Sequence, residues 1–153
     1  MKKMNNKGFS MVELIIVIAI MAILAGALAP TLIKYVNKSR MSSDVSNAQT
    51  IAGAVQTAYS DTSSYDSVGM ISSGTMYTVP QLMSNFSNFS SNFSTTLGAA
   101  VSVKYTKKTS DNKTPDQFGV KITTTGGNVE VKVYANTAGD IELYPTVHSD
   151  YDK

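Results

Sequence analysis

Cysteine is absent from the 153 residues, histidine occurs once, and the single arginine is Arg40. Without cysteine no disulfide can staple the fold, so an exported domain of this chain has to hold together by packing alone. The lone histidine, His148, has only Ser149, Asp150 and Asp152 around it, too little for a metal site, and it reads as a solvated surface residue. No strand-turn-helix setting surrounds a serine that could be activated, and no nucleophile-base pair is present. The chain is therefore read as a non-enzyme with neither catalytic residues nor a cofactor.

An excess of charge of one sign is also lacking. The formal net charge is +2, but Lys2, Lys3 and Lys7 all precede the apolar run; without them ten basic residues face eleven acidic ones, a net of −1. That balance gives no support to general polyanion binding, and no specific nucleic-acid partner is expected. The length suits one domain plus a membrane segment.

What the chain does have is a long apolar run with an unusual preface. Lys7-Gly8-Phe9-Ser10-Met11-Val12-Glu13 leads straight into apolar sequence from Leu14 to Ile33. A secretory signal peptide places its apolar region before the cut, so that processing discards it. Cleavage after Gly8 would keep it. Residues 9–33 carry one charge, and as a helix they would span about 37 Å, against a hydrocarbon thickness of about 30 Å. The lysines ahead of the run place that end in the cytoplasm and everything after Lys34 outside. Glu13 sits in the first turns, where a carboxylate costs about 2.5–3.5 kcal/mol on insertion scales, so it is a candidate functional residue. Pro30 removes the hydrogen bond to the Gly26 carbonyl and would clash with it, which makes residues 26–30 the weak point of the helix.

A short basic leader, Gly8 at the cut, Phe9 as the new first residue and Glu13 as the fifth residue after the cut together resemble the class III signal of type IV prepilins. The resemblance implies cleavage between Gly8 and Phe9 and N-methylation of Phe9 by a prepilin peptidase, leaving residues 1–8 as the leader and residues 9–33 as a transmembrane and filament-core helix. It implies that Glu13 neutralises the free amine of a neighbouring subunit, and that the Gly26 to Pro30 stretch loses helicity in the assembled filament. The partners it implies are further copies of the chain, the peptidase, a pilus assembly platform protein with its ATPase, and minor pilins. Location is the cytoplasmic membrane before assembly and the surface pilus after it. Twelve lysines against one arginine, with abundant Ser, Asn and Ile, point to a Gram-positive anaerobe as host.

Beyond the membrane, residues 34–153 are expected to form the amphipathic half of the helix and a globular head. Met41, Val45, Ala48, Ala52, Val55 and Tyr59 trace one stripe, with Asp44, Asn47 and Thr50 pointing elsewhere. With no break signal before Ser60, one helix of about 50 residues is expected. Residues 60–80 read as a loop, and Leu82, Phe86, Phe89, Phe93 and Leu97 as a packing stripe on a short helix or irregular segment over residues 81–94. Four strands with period-two alternation follow: Val101, Val103, Tyr105; Phe118, Val120, Ile122; Val129, Val131, Val133; and Ile141 with Leu143. Gly126-Gly127 suits a two-residue hairpin turn that pairs Ile122 with Val131 and Val120 with Val133, and sets Lys121 against Lys132 with Glu130 as partial relief. The fold class is α+β, a long N-terminal helix packed on a C-terminal antiparallel sheet of about four strands.

Other constellations carry less. The sequons at Asn37, Asn85, Asn88, Asn92 and Asn112 read as chance matches in Ser- and Asn-rich text. Asp140, Glu142, Asp150 and Asp152 do not follow the spacing of an EF-hand, and calcium is not expected. The lysines between Lys104 and Lys132 read as a solvated strand face. The missing cysteine pair departs from the commonest pilin pattern, so closure of the last loop has to rest on other contacts. The function implied is a structural pilus subunit serving adhesion, aggregation, biofilm formation or twitching. Two alternatives stand beside it: a minor pilin or pseudopilin of a type II secretion or DNA-uptake machine, and a single-pass anchored sensor or binding protein that needs no processing at Gly8.

Overall fold

The computed structural model describes residues 8–61, 71, 73–99, 101–125 and 128–152. The elements in chain order are α1 (Met11–Ser60), β1 (Met76–Thr78), α2 (Val79–Ser84), α3 (Ser87–Leu97), β2 (Gly119–Thr125), β3 (Asn128–Tyr134) and β4 (Glu142–Tyr144). The chain divides into two compact units, Met1–Asn37 and Lys38–Lys153. Lys2, Lys3 and Lys7, residues 62–70, and Gly126-Gly127, where a hairpin turn is expected, lie outside the described residues.

In the first unit, α1 starts at a cap. Ser10 Oγ accepts the Val12 N–H at 3.3 Å, and Glu13 Oε2 accepts the Ser10 N–H at 2.9 Å. The helix is then unbroken through Gly26 and Pro30. It is long and apolar enough to cross a membrane, and none of its most apolar window is buried.

In the second unit the stripe foreseen on α1 faces the core, but it is broader than six residues. Ala48, Ile51, Ala52, Ala54, Val55 and Ala58 are buried, while Met41, Val45 and Tyr59 pack at its margins. Asp44 does not point away as its charge suggested; it is fully buried on the same face.

The sheet is an antiparallel meander in the order β1-β2-β3-β4. Ile122 lies opposite Val131 and Val120 opposite Val133, as the hairpin pattern required, and Lys121 lies opposite Lys132. Lys132 Nζ is 3.4 Å from Glu130 Oε1. Glu142 first, and Glu130 second, hold the Lys132 ammonium above its ordinary pKa, which offsets the like-charge pairing across the hairpin.

One expected strand is not a strand. Val103 and Tyr105 are buried and Val101 half-buried, as alternation predicted, yet residues 101–106 join no sheet. Their backbone donors go elsewhere: the N–H groups of Lys104 and Tyr105 bond the Asp44 carboxylate. The place beside β2 belongs to β1, where Met76 pairs with Lys121 and Thr78 with Gly119. That strand falls within the stretch read as a loop, and its Ser- and Gly-rich flanks concealed it.

The Asn-Phe-Ser stretch forms α2 and α3, with Leu82, Phe89 and Phe93 fully buried and Phe86 nearly so. Ser and Asn lose up to about 0.7 kcal/mol per residue against Ala in a helix. Burying each Phe contributes about 1.5–3 kcal/mol, so tertiary packing outweighs local propensity here. Phe86, Phe89, Tyr59 and Tyr77 meet edge to face, and Phe89 stacks on Phe93 with ring centroids 5.9 Å apart.

Candidate assembly site

Gly8 and Phe9 precede the first helical turn in non-helical backbone, and Phe9 is 88% exposed. A Cβ added to Gly8 would meet nothing within 4 Å, and its φ lies outside the left-handed region. Its own fold therefore makes no demand for glycine at position 8. Gly26 likewise has open space around it, in a stretch of α1 where Ile23, Leu24 and Leu28 are all more than half exposed. An unaccompanied helix with this surface leaves its apolar side chains in contact with solvent or lipid.

Among the described residues, Glu13 is joined to its own chain through one oxygen, Oε2 on the Ser10 N–H. The Ser10-x-x-Glu13 spacing is that of a capping box, a signal present in the sequence that points to Ser10 as a participant. Phe9, Glu13, Gly26 and Pro30 all lie in the first unit, at or on α1.

The head contains a polar contact of another kind. Asp44 Oδ1 accepts the Lys104 N–H at 2.8 Å and Oδ2 accepts the Tyr105 N–H at 2.9 Å. Burial pushes the Asp44 carboxyl above its ordinary pKa, with the two backbone donors and the Lys104 ammonium pulling against that rise. Lys104 Nζ also donates to Ser43 Oγ at 2.9 Å, so the extended segment is held to α1 at successive residues.

The C-terminal residues are closed without sulfur. Tyr151 is buried and meets the Tyr105 ring edge to face at 5.6 Å. Asp150 Oδ2 accepts both the N–H and the hydroxyl of Ser110. His148 is not a solvated surface residue: its side chain is only 13% exposed, with Nε2 3.3 Å from Asp111 Oδ2 and Nδ1 accepting the Asp150 N–H. Of the acidic residues considered for calcium, Asp140, Glu142 and Asp150 are engaged separately. Asp140 pairs with Lys113 at 3.4 Å and Glu142 accepts the Thr146 N–H. Among the described residues no group of three or more His, Asp or Glu could hold a metal ion.

Residues 3–29 match the family model described as the prokaryotic N-terminal methylation motif. The chain carries a prepilin N-methylation motif. That match takes in Gly8, Phe9, Glu13 and Gly26 and stops short of Pro30. Among curated proteins, the fimbrial protein EcpC of Eikenella corrodens is 46% identical over 61 residues, a stretch covering 40% of this chain and 40% of that protein. No solved structure matches. Together the motif and the fimbrial relative support a type IV pilin-like protein.

Proposed function

We propose that this pilin-like chain is a structural subunit of type IV pili in a Gram-positive host. It is cut between Gly8 and Phe9 by a prepilin peptidase, methylated at the Phe9 amine, held in the cytoplasmic membrane by residues 9–33 and then polymerised into a surface filament. The observation that carries this reading is the exposed apolar stretch of α1 from Met11 to Ile33, with one carboxylate, Glu13, four residues beyond Phe9. Packed side by side, such helices bury their apolar surface against one another. Glu13 of one copy then neutralises the amine of the next, an ion pair that low-dielectric surroundings strengthen.

Two features of α1 support self-association beyond the apolar run. From Ser42 to Ser60 its outward face presents Ser46, Gln49, Thr50, Gly53, Gln56 and Thr57, without a charged residue. A solvated helix face ordinarily carries charges. Gly53 lies on that face in open space, so the head itself has no use for a residue that weakens a helix by about 0.5–1 kcal/mol relative to Ala. A neighbouring copy that approaches closely does. In the filament, Gly26 and Pro30 mark the stretch that gives up helicity.

Assembly in this reading needs a platform protein with its ATPase, and minor pilins at the tip. The finished filament serves adhesion, aggregation, biofilm formation or twitching. The deciding experiment is intact-mass analysis of material sheared from cells, beside the membrane fraction. A dominant sheared species beginning at methylated Phe9 is the expected result. Processed chain confined to the membrane would point instead to a minor pilin or a pseudopilin of a secretion or DNA-uptake machine. An uncut chain would overturn the proposal.

A further inference from the structure

The Glu13 carboxylate is divided between two oxygens in unlike situations. Oε2 accepts the Ser10 N–H at 2.9 Å, while Oε1 has no partner among the described residues. Ser10 Oγ in turn accepts the Val12 N–H at 3.3 Å. These contacts satisfy backbone donors that the first turn of a helix leaves orphaned, and in apolar surroundings no water would replace them. They also tie the carboxylate to the start of the helix through one oxygen and leave the other open.

We infer that Ser10 is a positioning residue for the assembly carboxylate: its backbone N–H holds Glu13 Oε2, and Oε1 is thereby aimed outward to receive the amine of a second copy of this chain. The hold and the ion pair use different oxygens, so both coexist in the filament. The inference rests on the amine-carboxylate pairing proposed above. It predicts that what matters at position 10 is the backbone donor, because among the described residues the hydroxyl serves only the Val12 N–H.

The test compares full-length variants. Ser10→Pro removes the donor and keeps the carboxylate; Ser10→Ala keeps the donor and removes the hydroxyl. Glu13→Gln keeps an oxygen acceptor and removes the charge. Filament yield is measured as sheared protein divided by processed chain in the membrane, with processing read by intact mass. The Ser10→Pro yield should fall about tenfold, the effect of losing one hydrogen bond to a charged group, while Ser10→Ala stays within about twofold of wild type.

Alongside, amide hydrogen exchange at Ser10 is followed by NMR in the full chain in detergent micelles. Protection is expected in wild type and Glu13→Gln, and its loss in Glu13→Ala. Equal exchange in wild type and Glu13→Ala, or wild-type filament yield from Ser10→Pro, would overturn the inference. Should Ser10→Pro escape processing, the exchange measurement decides alone. Wild-type filaments from Glu13→Gln would sink the ion-pair reading, while the protection of Ser10 would still report on the hold.

Discussion

Asp44 accepts the backbone N–H of Tyr105 at 2.9 Å, across 61 positions of sequence, and receives that of Lys104 through its other oxygen. A fully buried carboxylate thus anchors residues 101–106 to α1 in place of a strand ladder. Asp44→Ala should leave both donors without that acceptor, at about 1–3 kcal/mol for each orphaned group. Asp44→Asn offers one oxygen and one NH₂, so it should lose roughly half as much. Chemical denaturation of the processed chain in detergent would measure both.

The same residue sets a pH dependence. The folded chain holds the Asp44 proton to higher pH than the unfolded chain, whose carboxyl titrates near the ordinary 3.8. Stability from this group is therefore fully present below that value and is lost as pH rises through the raised folded pKa. Asp44→Ala should abolish that component, so the gap between variant and wild type should widen as pH falls into the acid range. A gap that narrows on acidification would contradict the buried environment assigned to Asp44.

Tyr59 gives the alkaline counterpart. Its Oη is buried without a hydrogen-bond partner among the described residues, and burial pushes the phenol from 10.0 up to about 12. The neutral form is favoured on folding, so the contribution is whole below pH 10.0 and is lost as pH rises through about 12. Tyr59→Phe keeps the edge-to-face contact with Phe89 and removes the orphaned hydroxyl. The variant should be neutral or more stable by up to about 1 kcal/mol at neutral pH. It should also lose less stability than wild type near pH 12, with a remaining loss from Tyr151, whose phenol burial also raises.

Gly119 opens β2 where nothing larger fits: a Cβ there would stand 2.8 Å from both the Asn136 carbonyl oxygen and Met76 Sδ. The methionine can move, but the carbonyl is backbone. Gly119→Ala should destabilise the head by about 1–3 kcal/mol through forced shifts of β2 and the segment after β3. Pairing it with Met76→Ala should recover little of the loss, because the backbone clash remains. Thermal unfolding of both variants would show this.

Gly53 separates folding from assembly. Gly53→Ala should stabilise the subunit by about 0.5–1 kcal/mol, and Gly53→Lys should leave the head folded, since open space surrounds the site. If the uncharged outward face of α1 meets another copy, Gly53→Lys should abolish sheared filament while the processed subunit remains in the membrane. Normal filaments from Gly53→Lys would remove this face from the interface.

Much of the head was legible because burial imposes short-range patterns. The period-two run from Val129 to Val133 and the three-four spacing from Met41 to Tyr59 both report which side faces the core. β1 was not legible: three residues, Met76 to Thr78, cannot establish a period, and they become a strand only because β2 offers an open edge. Residues 101–105 had the period and lacked the partner, so their alternation recorded burial without pairing. Asp44 and His148 were misplaced for one reason. A charge or an imidazole reads as exposed unless its distant donors and acceptors are known, and nothing local announces the N–H of Tyr105 or the carboxylate of Asp111.

The order Gly8-Phe9 ahead of a long apolar run with Glu13 at its start is a one-dimensional signal. In the function proposed here, a peptidase and a membrane would read the chain locally, which is why the processing and assembly candidates are named from sequence alone. Closure of a head without disulfides is a three-dimensional matter. It was decided by which distant groups met: the Asp44 carboxylate at Lys104 and Tyr105, Asp150 at Ser110, and the Tyr151 ring at Tyr105. Such contacts form only after the chain has collapsed, because a buried polar group takes whichever partner the completed packing brings within reach.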